Sequence, residues 1–139
     1  MADGVLELIP TAAVHHIGMY RVKGSELPVQ YYNRLPKDAN CDVAFIVDPC
    51  IASSNTLTAI CSIVKKWGAK KIVVISAVAS RAGVNKLTTA HPDVEVHIAA
   101  IDEQLSDTGM ILPGIGDSGD RAFGTPVDEE ITGNKRARE

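Results

Sequence analysis

Aromatic residues make up only 4% of the 139-residue chain, cysteine is limited to three residues, and basic charge is in no excess, the formal net charge being -3. Few aromatics and a slightly acidic balance exclude the basic, aromatic-rich stripe on which bases stack and phosphates are neutralised, so polymeric nucleic acid is not an expected partner. Cys41, Cys50 and Cys61 are odd in number and form no C-x-x-C pair, which speaks against a disulfide framework or a zinc site and for a reducing compartment. No apolar run approaches the ~20 residues that span a bilayer. The opening MADGVLELIP carries Asp3 and Glu7 and no basic leader region, so a cytoplasmic location and no membrane partner are expected.

What is present is an ordinary globular balance, with 45% hydrophobic and 22% charged residues, enough for one core. Val5, Leu6, Leu8 and Ile9 before Pro10 resemble the last turns of an amphipathic helix that starts with the chain itself, so a segment upstream is expected to be missing. Val14 to Arg21 and Val29 to Leu35, joined by Lys23-Gly24-Ser25, predict a β-hairpin arm near residues 14–35. His15 and His16 lie in its first strand. Adjacent strand residues point to opposite faces, which argues against their sharing a metal ion.

Val43 to Val47 is a continuous apolar run, as in a strand buried on both faces, and it ends in Asp48-Pro49. From Thr56, apolar positions Leu57, Ile60, Cys61, Val64 and Trp67 recur at helical spacing, with Asn55 as the predicted N-cap and Gly68 as the stop. Ile72 to Ile75 is a second apolar strand, completing a βαβ unit with parallel pairing. Ser80 is predicted to cap a helix running through Ala90, and Val94 to Ala99 to form a further strand. The fold class is therefore α/β, a mainly parallel sheet flanked by helices. One domain is expected over residues 1–124, followed by a flexible tail over 125–139, whose Lys135-Arg136-Ala137-Arg138 is too short to serve as an address.

In such sheets ligands bind at the carboxyl ends of the strands, here the loops Asp48 to Thr56, Ala77 to Arg81 and Ala100 to Asp120. The first leads into a helix N-terminus, whose free N–H groups favour a phosphate, and Ser53, Ser54, Asn55 and Thr56 add polar side chains. Taken alone, it could equally be a capped helix without a ligand. No Gly-Lys-Ser/Thr ending makes it a Walker loop.

Two blocks carry a resemblance. Val47 to Thr56 reads V-D-P-C-I-A-S-S-N-T, and Met110 to Arg121 reads M-I-L-P-G-I-G-D-S-G-D-R. These are similar to the phosphoribosyl diphosphate (PRPP) loop, approximately V-D-P-x-L-A-T-G-G-S, and the uracil-binding stretch, approximately Y-I-V-P-G-L-G-D-x-G-D-R, of the uracil phosphoribosyltransferase family. The stretches VLELIP, HIGMYR and AHPDVEVHIAAIDEQL also resemble it, so the similarity runs from Met1 to about Gly124 and corresponds to the family's carboxy-terminal part. The resemblance implies a type I phosphoribosyltransferase fold and pyrimidine salvage, uracil plus PRPP giving UMP and diphosphate, with a substrate-bound magnesium ion. It also implies a homo-oligomer or a partner subunit.

By this resemblance Asp48 is the catalytic acidic residue that meets the ribose hydroxyls, for which a carboxylate is a strong acceptor. Ala52, Ser53, Ser54, Asn55 and Thr56 would hold the 5-phosphate, Ile111 and Gly116 would pair with uracil through their main chains, and Asp117 would lie near the diphosphate. Arg121 is expected to pair with Asp117 or Asp120. His15, His91 and Cys50 are given no catalytic role, because the reaction needs positioning and electrostatics rather than a nucleophile. Two departures stand out. Both glycines of the family loop are replaced here by Ser54 and Asn55, a strain of roughly 1–2 kcal/mol if Ser54 needs a left-handed backbone. The family's amino-terminal region, with its diphosphate-contacting arginines, has no counterpart in these residues, so turnover by this chain alone is in doubt. A non-catalytic uracil- or UMP-binding protein of the same fold is the alternative.

Overall fold

The computed structural model describes residues 1–21 and 27–125. The predicted turn at Lys23-Gly24-Ser25 and most of the predicted tail lie outside the described residues. The chain opens with helix α1 (Ala2–Leu8), which buries no residue. Strands β1 (Ile17–Arg21) and β2 (Pro28–Asn33) pair antiparallel, with a register shift between Gly18 and Met19. This is the expected arm, shorter than predicted at both outer ends. Its tyrosines Tyr20, Tyr31 and Tyr32 are exposed. His15 is exposed and packs its ring edge against Trp67, centroids 6.1 Å apart.

The apolar runs then form the sheet. Strands β3 (Val43–Val47) and β4 (Cys50–Ile51), helix α2 (Asn55–Trp67), strand β5 (Lys71–Ser80), helix α3 (Arg81–Ala90) and strand β6 (Glu95–Asp102) follow in order. β3 and β4 pair in parallel along one side of β5 and β6 along the other, so β5 is the spine of a parallel sheet. β5 is longer than the predicted Ile72 to Ile75, because Val78 and Ala79 pair with β4 on one side and with β6 on the other. Residues 77–80 are therefore strand, and the rim that the sequence placed there begins at Arg81. Beyond β6 the chain makes two short antiparallel strands, β7 (Gln104–Leu105) and β8 (Ile111–Leu112), and a final helix α4 (Ser118–Phe123).

The helical spacing of α2 puts Leu57, Cys61 and Val64 on one face, which packs with Leu87 of α3 against Ile72 and Val74 of β5. Ile51, Leu57, Val74 and Leu87 are at most 1% exposed, and burying each such side chain contributes about 1.5–3 kcal/mol. Cys61 is wholly buried in this core, and burial pushes its thiol pKa up to about 11, so it stays a neutral packing group. Gly68 ends α2 at φ 107°, donating its N–H to Lys65 and Val64 carbonyls as the sequence expects of a C-cap. The expected N-cap moves by one residue. Ser54, not Asn55, precedes α2, and it does so in the left-handed region at φ 63° and ψ 6°, without a side-chain cap bond.

The expectation that both apolar strands are buried on both faces holds better for β5 than for β3. Ala44 and Ile46 face the helical core, but Val43 and Phe45, on the alternate face, are 37% and 42% exposed. β3 lies at the edge of the described sheet, and its outer face carries no packing comparable to that of α2 and α3 on the other. No helix among the described residues is long and apolar enough to cross a membrane.

Candidate functional site

The parallel strands bring their carboxyl ends to one side of the sheet, where three segments converge. The first begins with Asp48. The N–H of Asp48 donates to Ile75 O at 3.1 Å and that of Val78 to Pro49 O at 3.1 Å, so β5 clamps the Asp-Pro turn from both sides. The Asp48 carboxylate accepts a long hydrogen bond from the Cys50 N–H at 3.4 Å. Burial raises its pKa above the ordinary aspartate value, and the Cys50 N–H only partly offsets this.

Ala52, Ser53 and Ser54 carry the chain into α2. The Ala52 carbonyl accepts from Ser80 Oγ at 2.6 Å, and Ser80 Oγ itself accepts from the Gly83 N–H at 2.9 Å. One serine thus caps α3, as predicted, and also ties α3 to the loop 28 positions earlier. A Cβ added at Gly83 would stand 2.2 Å from the Ala52 carbonyl oxygen. Only glycine lets the two backbones approach this closely. Sequence reasoning missed Gly83, although a glycine three residues after a capping serine, inside a predicted helix, is the kind of signal that marks a packing constraint.

Ser54 is buried, and neither its Oγ nor Thr58 Oγ1 one turn later has a hydrogen-bond partner among the described residues. The conditional strain of the sequence reading is therefore realised at Ser54 and not at Asn55. We expect Ser54→Gly to raise the melting temperature, because it relieves roughly 1 kcal/mol of left-handed strain and an unpaired buried hydroxyl, against a comparable loss from the greater freedom of the unfolded glycine. The net should be about 1 kcal/mol, a shift of roughly 3–5 °C for a chain of this size. A thermal melt showing no rise would mean that the left-handed turn is not a source of strain. Asn55 and Thr56 begin α2, and Asn55 Oδ1 accepts from Lys86 Nζ of α3.

The second block lies along β8 and the start of α4. Ile111 is buried, with its backbone in the ladder opposite Leu105, and the Leu112–Pro113 peptide bond is cis. Gly114 turns the chain at φ 46°, and its N–H donates to Asp102 Oδ2 at 3.0 Å, pinning the block to the end of β6. Gly116 is exposed at φ 72°. Asp117 is the N-cap of α4, its Oδ1 accepting from the N–H groups of Gly119 and Asp120 at 2.9 and 3.0 Å. Arg121 pairs with neither aspartate expected of it. Its Nη1 donates instead to the Ile115 carbonyl at 2.7 Å, closing the loop over Gly116. The two blocks meet where Cys50 Sγ lies 3.8 Å from Ser118 Oγ.

Around this rim Arg81 is held by Glu103, with Nη2 at 2.8 Å from Oε1. A concavity of about 540 Å³ is lined by Ile101, Asp102, Glu103, Gln104, Leu112 and Pro113. It touches β8 but no residue from Asp48 to Thr56, and its acidic wall suits an anionic ligand poorly. The loop that leads into the α2 N-terminus is the better candidate. Among the described residues no group of three or more His, Cys, Asp or Glu could hold a metal ion.

A family model described as "Uracil phosphoribosyltransferase" matches residues 1–125. A protein of Roseiflexus castenholzii named uracil phosphoribosyltransferase is 46% identical over 125 residues, covering 90% of this chain and 60% of its own. One of the same name from Geobacillus kaustophilus is 49% identical over the same extent. Among solved structures, the AQ2163 protein of Aquifex aeolicus superposes with a TM-score of 0.81 at 30% identity, over 91% of this chain and 61% of that one. The chain thus spans about 60% of the length of the relatives it matches.

Proposed function

The chain belongs to the uracil phosphoribosyltransferase family, and from that premise we propose that it binds uracil and the phosphoribosyl moiety of PRPP or UMP at the joined loops. The observation that carries this reading is the pinning of both blocks to one sheet edge, the first by Ser80 Oγ on Ala52 O and the second by Asp102 on the Gly114 N–H. The N-terminus of α2 faces a 5-phosphate with the unpaired N–H groups of its first turn, while Ile111 and Gly116 meet the pyrimidine edge through their main chains, as the family resemblance implies. A base without matching groups would leave those of the site unpaired. Asp48 faces the ribose hydroxyls.

Joining uracil to the ribose breaks the C1 bond to diphosphate, so positive charge grows on the ribose as the diphosphate leaves. The chain's own part is to hold ribose, phosphate and base in line, with the Asp48 carboxylate placed against the developing charge. A magnesium ion bound to the substrate would supply charge neutralisation of the diphosphate. Asp117, whose Oδ1 is committed to the α4 cap, would keep Oδ2 to meet such an ion directly or through water. Because the relatives' remaining length has no counterpart in these residues, the chain alone should bind UMP but bind PRPP weakly and turn it over little. Association with a second copy is part of this reading, supported by the exposed Val43 and Phe45 of the sheet.

Calorimetry with uracil, UMP and PRPP tests it, with Asp48→Asn as the informative variant. The amide keeps the shape but loses the charge-assisted acceptor, so UMP should weaken by about tenfold while free uracil is unaffected. Stability should move the other way. A raised carboxyl pKa means that the fold is most favoured with Asp48 protonated, and that this contribution is lost as pH climbs from the ordinary aspartate value through the raised one. Asp48→Asn should therefore melt higher than the parent at neutral pH and equal to it in acid. Failure of the folded wild type to bind either uracil or UMP would overturn the proposal, and binding of UMP without any turnover even beside a full-length relative would favour the non-catalytic alternative.

A further inference from the structure

We propose that Lys86 is a phosphate-binding side chain of this site, held over the first turn of α2 by Asn55; the proposal rests on the phosphoribosyl reading above. Its Nζ reaches Asn55 Oδ1 across 31 positions of sequence. Asn55 is the first residue of α2, directly after the left-handed Ser54, so the ammonium stands where the free N–H groups of that helix open.

The approach of α3 explains how Lys86 gets there. Residues three apart lie on one face of a helix, and Gly83 and Lys86 have that spacing. Gly83 abuts the Ala52 carbonyl and Lys86, one turn on, touches Asn55, so a single stripe of α3 overlies the loop from Ala52 to Asn55. A bulkier residue at Gly83 would hold Lys86 away.

The charge of this lysine is left free. Arg81, at the start of the same helix, is bound to Glu103, whereas the contact made by Lys86 is to a neutral amide oxygen. That bond orients the ammonium without neutralising it. An ammonium has three donors, so two remain for phosphate oxygens, and the loop from Asp48 to Thr56 has no basic residue of its own. The ligand class is a terminal phosphomonoester, the 5-phosphate of UMP or PRPP. Because Lys86 is exposed, its attraction for phosphate is screened by salt.

The test is titration of UMP and uridine, which differ only in the phosphate, into wild type, Lys86→Ala, Lys86→Gln and Lys86→Arg at low and high salt, with circular dichroism as the fold check. UMP should bind the alanine and glutamine variants about tenfold more weakly than wild type, with a flatter salt dependence, and the arginine variant nearly as well. Uridine should bind all four alike. UMP affinity unchanged in both neutral variants overturns the role of Lys86 and leaves the function reading standing. Wild type that binds uridine and UMP equally overturns the phosphate site while sparing the uracil block, and folded wild type that binds neither overturns both.

Discussion

Replacing Gly83 by alanine should abolish measurable UMP binding and lower the stability of the fold, although alanine is the better helix former by about 1 kcal/mol. The added Cβ would lie 2.2 Å from the Ala52 carbonyl oxygen, and both partners are backbone or fixed to it. No side chain can swing aside, so α3 and the loop at Ala52 must separate by roughly an ångström. Overpacking of this kind costs about 1–3 kcal/mol, and a misplacement of that size in a binding loop can cost on the order of 100-fold in function. Ser80→Ala separates the two effects. It removes the link from Gly83 through Ser80 to Ala52 without adding an atom, so it should destabilise by about 1 kcal/mol, as loss of a cap does, and weaken UMP less. If Gly83→Ala matches wild type in melting temperature and UMP affinity, the close approach of the two segments is wrong.

The second large effect is expected at Gly114. A Cβ there would fall 2.1 Å from the Ile111 carbonyl oxygen, in a residue whose φ is 46°. Steric overlap and left-handed strain therefore coincide, and relieving them would pull the Gly114 N–H from Asp102. Since the Ile111 main chain is proposed to pair with uracil, Gly114→Ala should weaken uracil by about 100-fold or more, near 2.7 kcal/mol. Its effect on the melting temperature should be small, because within this segment only Ile111 is buried. Gly116→Ala is the comparison. Its Cβ would meet nothing nearer than Arg121 Cδ at 3.9 Å, so only backbone strain opposes it and the loss should be nearer tenfold. Isothermal titration with uracil orders the two, and a smaller loss at Gly114 than at Gly116 would contradict the geometry of the turn.

Both residues escaped the sequence reading for the same reason. The reading ranked Gly116 as a pairing position and passed over Gly114, because a glycine-rich block does not say which glycine meets another backbone. Gly83, inside the predicted helix from Ser80 to Ala90, was not singled out at all. The reading of Ser54 fared better, since the physical condition was stated and only its place was open. It took the backbone to show that Ser54, and not Asn55, adopts the left-handed turn, and that Asn55 is instead the neutral partner of Lys86.

The sequence by itself determined the elements whose signals are local. Apolar runs gave β3 and the first half of β5, helical spacing gave the buried face of α2, Ser80 marked the start of α3 and Gly68 the end of α2. The strand-helix-strand order then dictated parallel pairing and, with it, the side of the sheet on which loops gather. Tertiary structure decided what depends on residues far apart in the chain. β5 extends to Ser80 because β4 and β6 supply partners on both sides, β3 leaves Val43 and Phe45 open because it lies at the edge of the described sheet, and Arg121 finds a carbonyl in place of an aspartate. Periodicity reports which face of an element is apolar. It carries no information on what that face, or a glycine in it, will meet, and the approach of α3 to the loop at Ala52 is fixed only by that meeting.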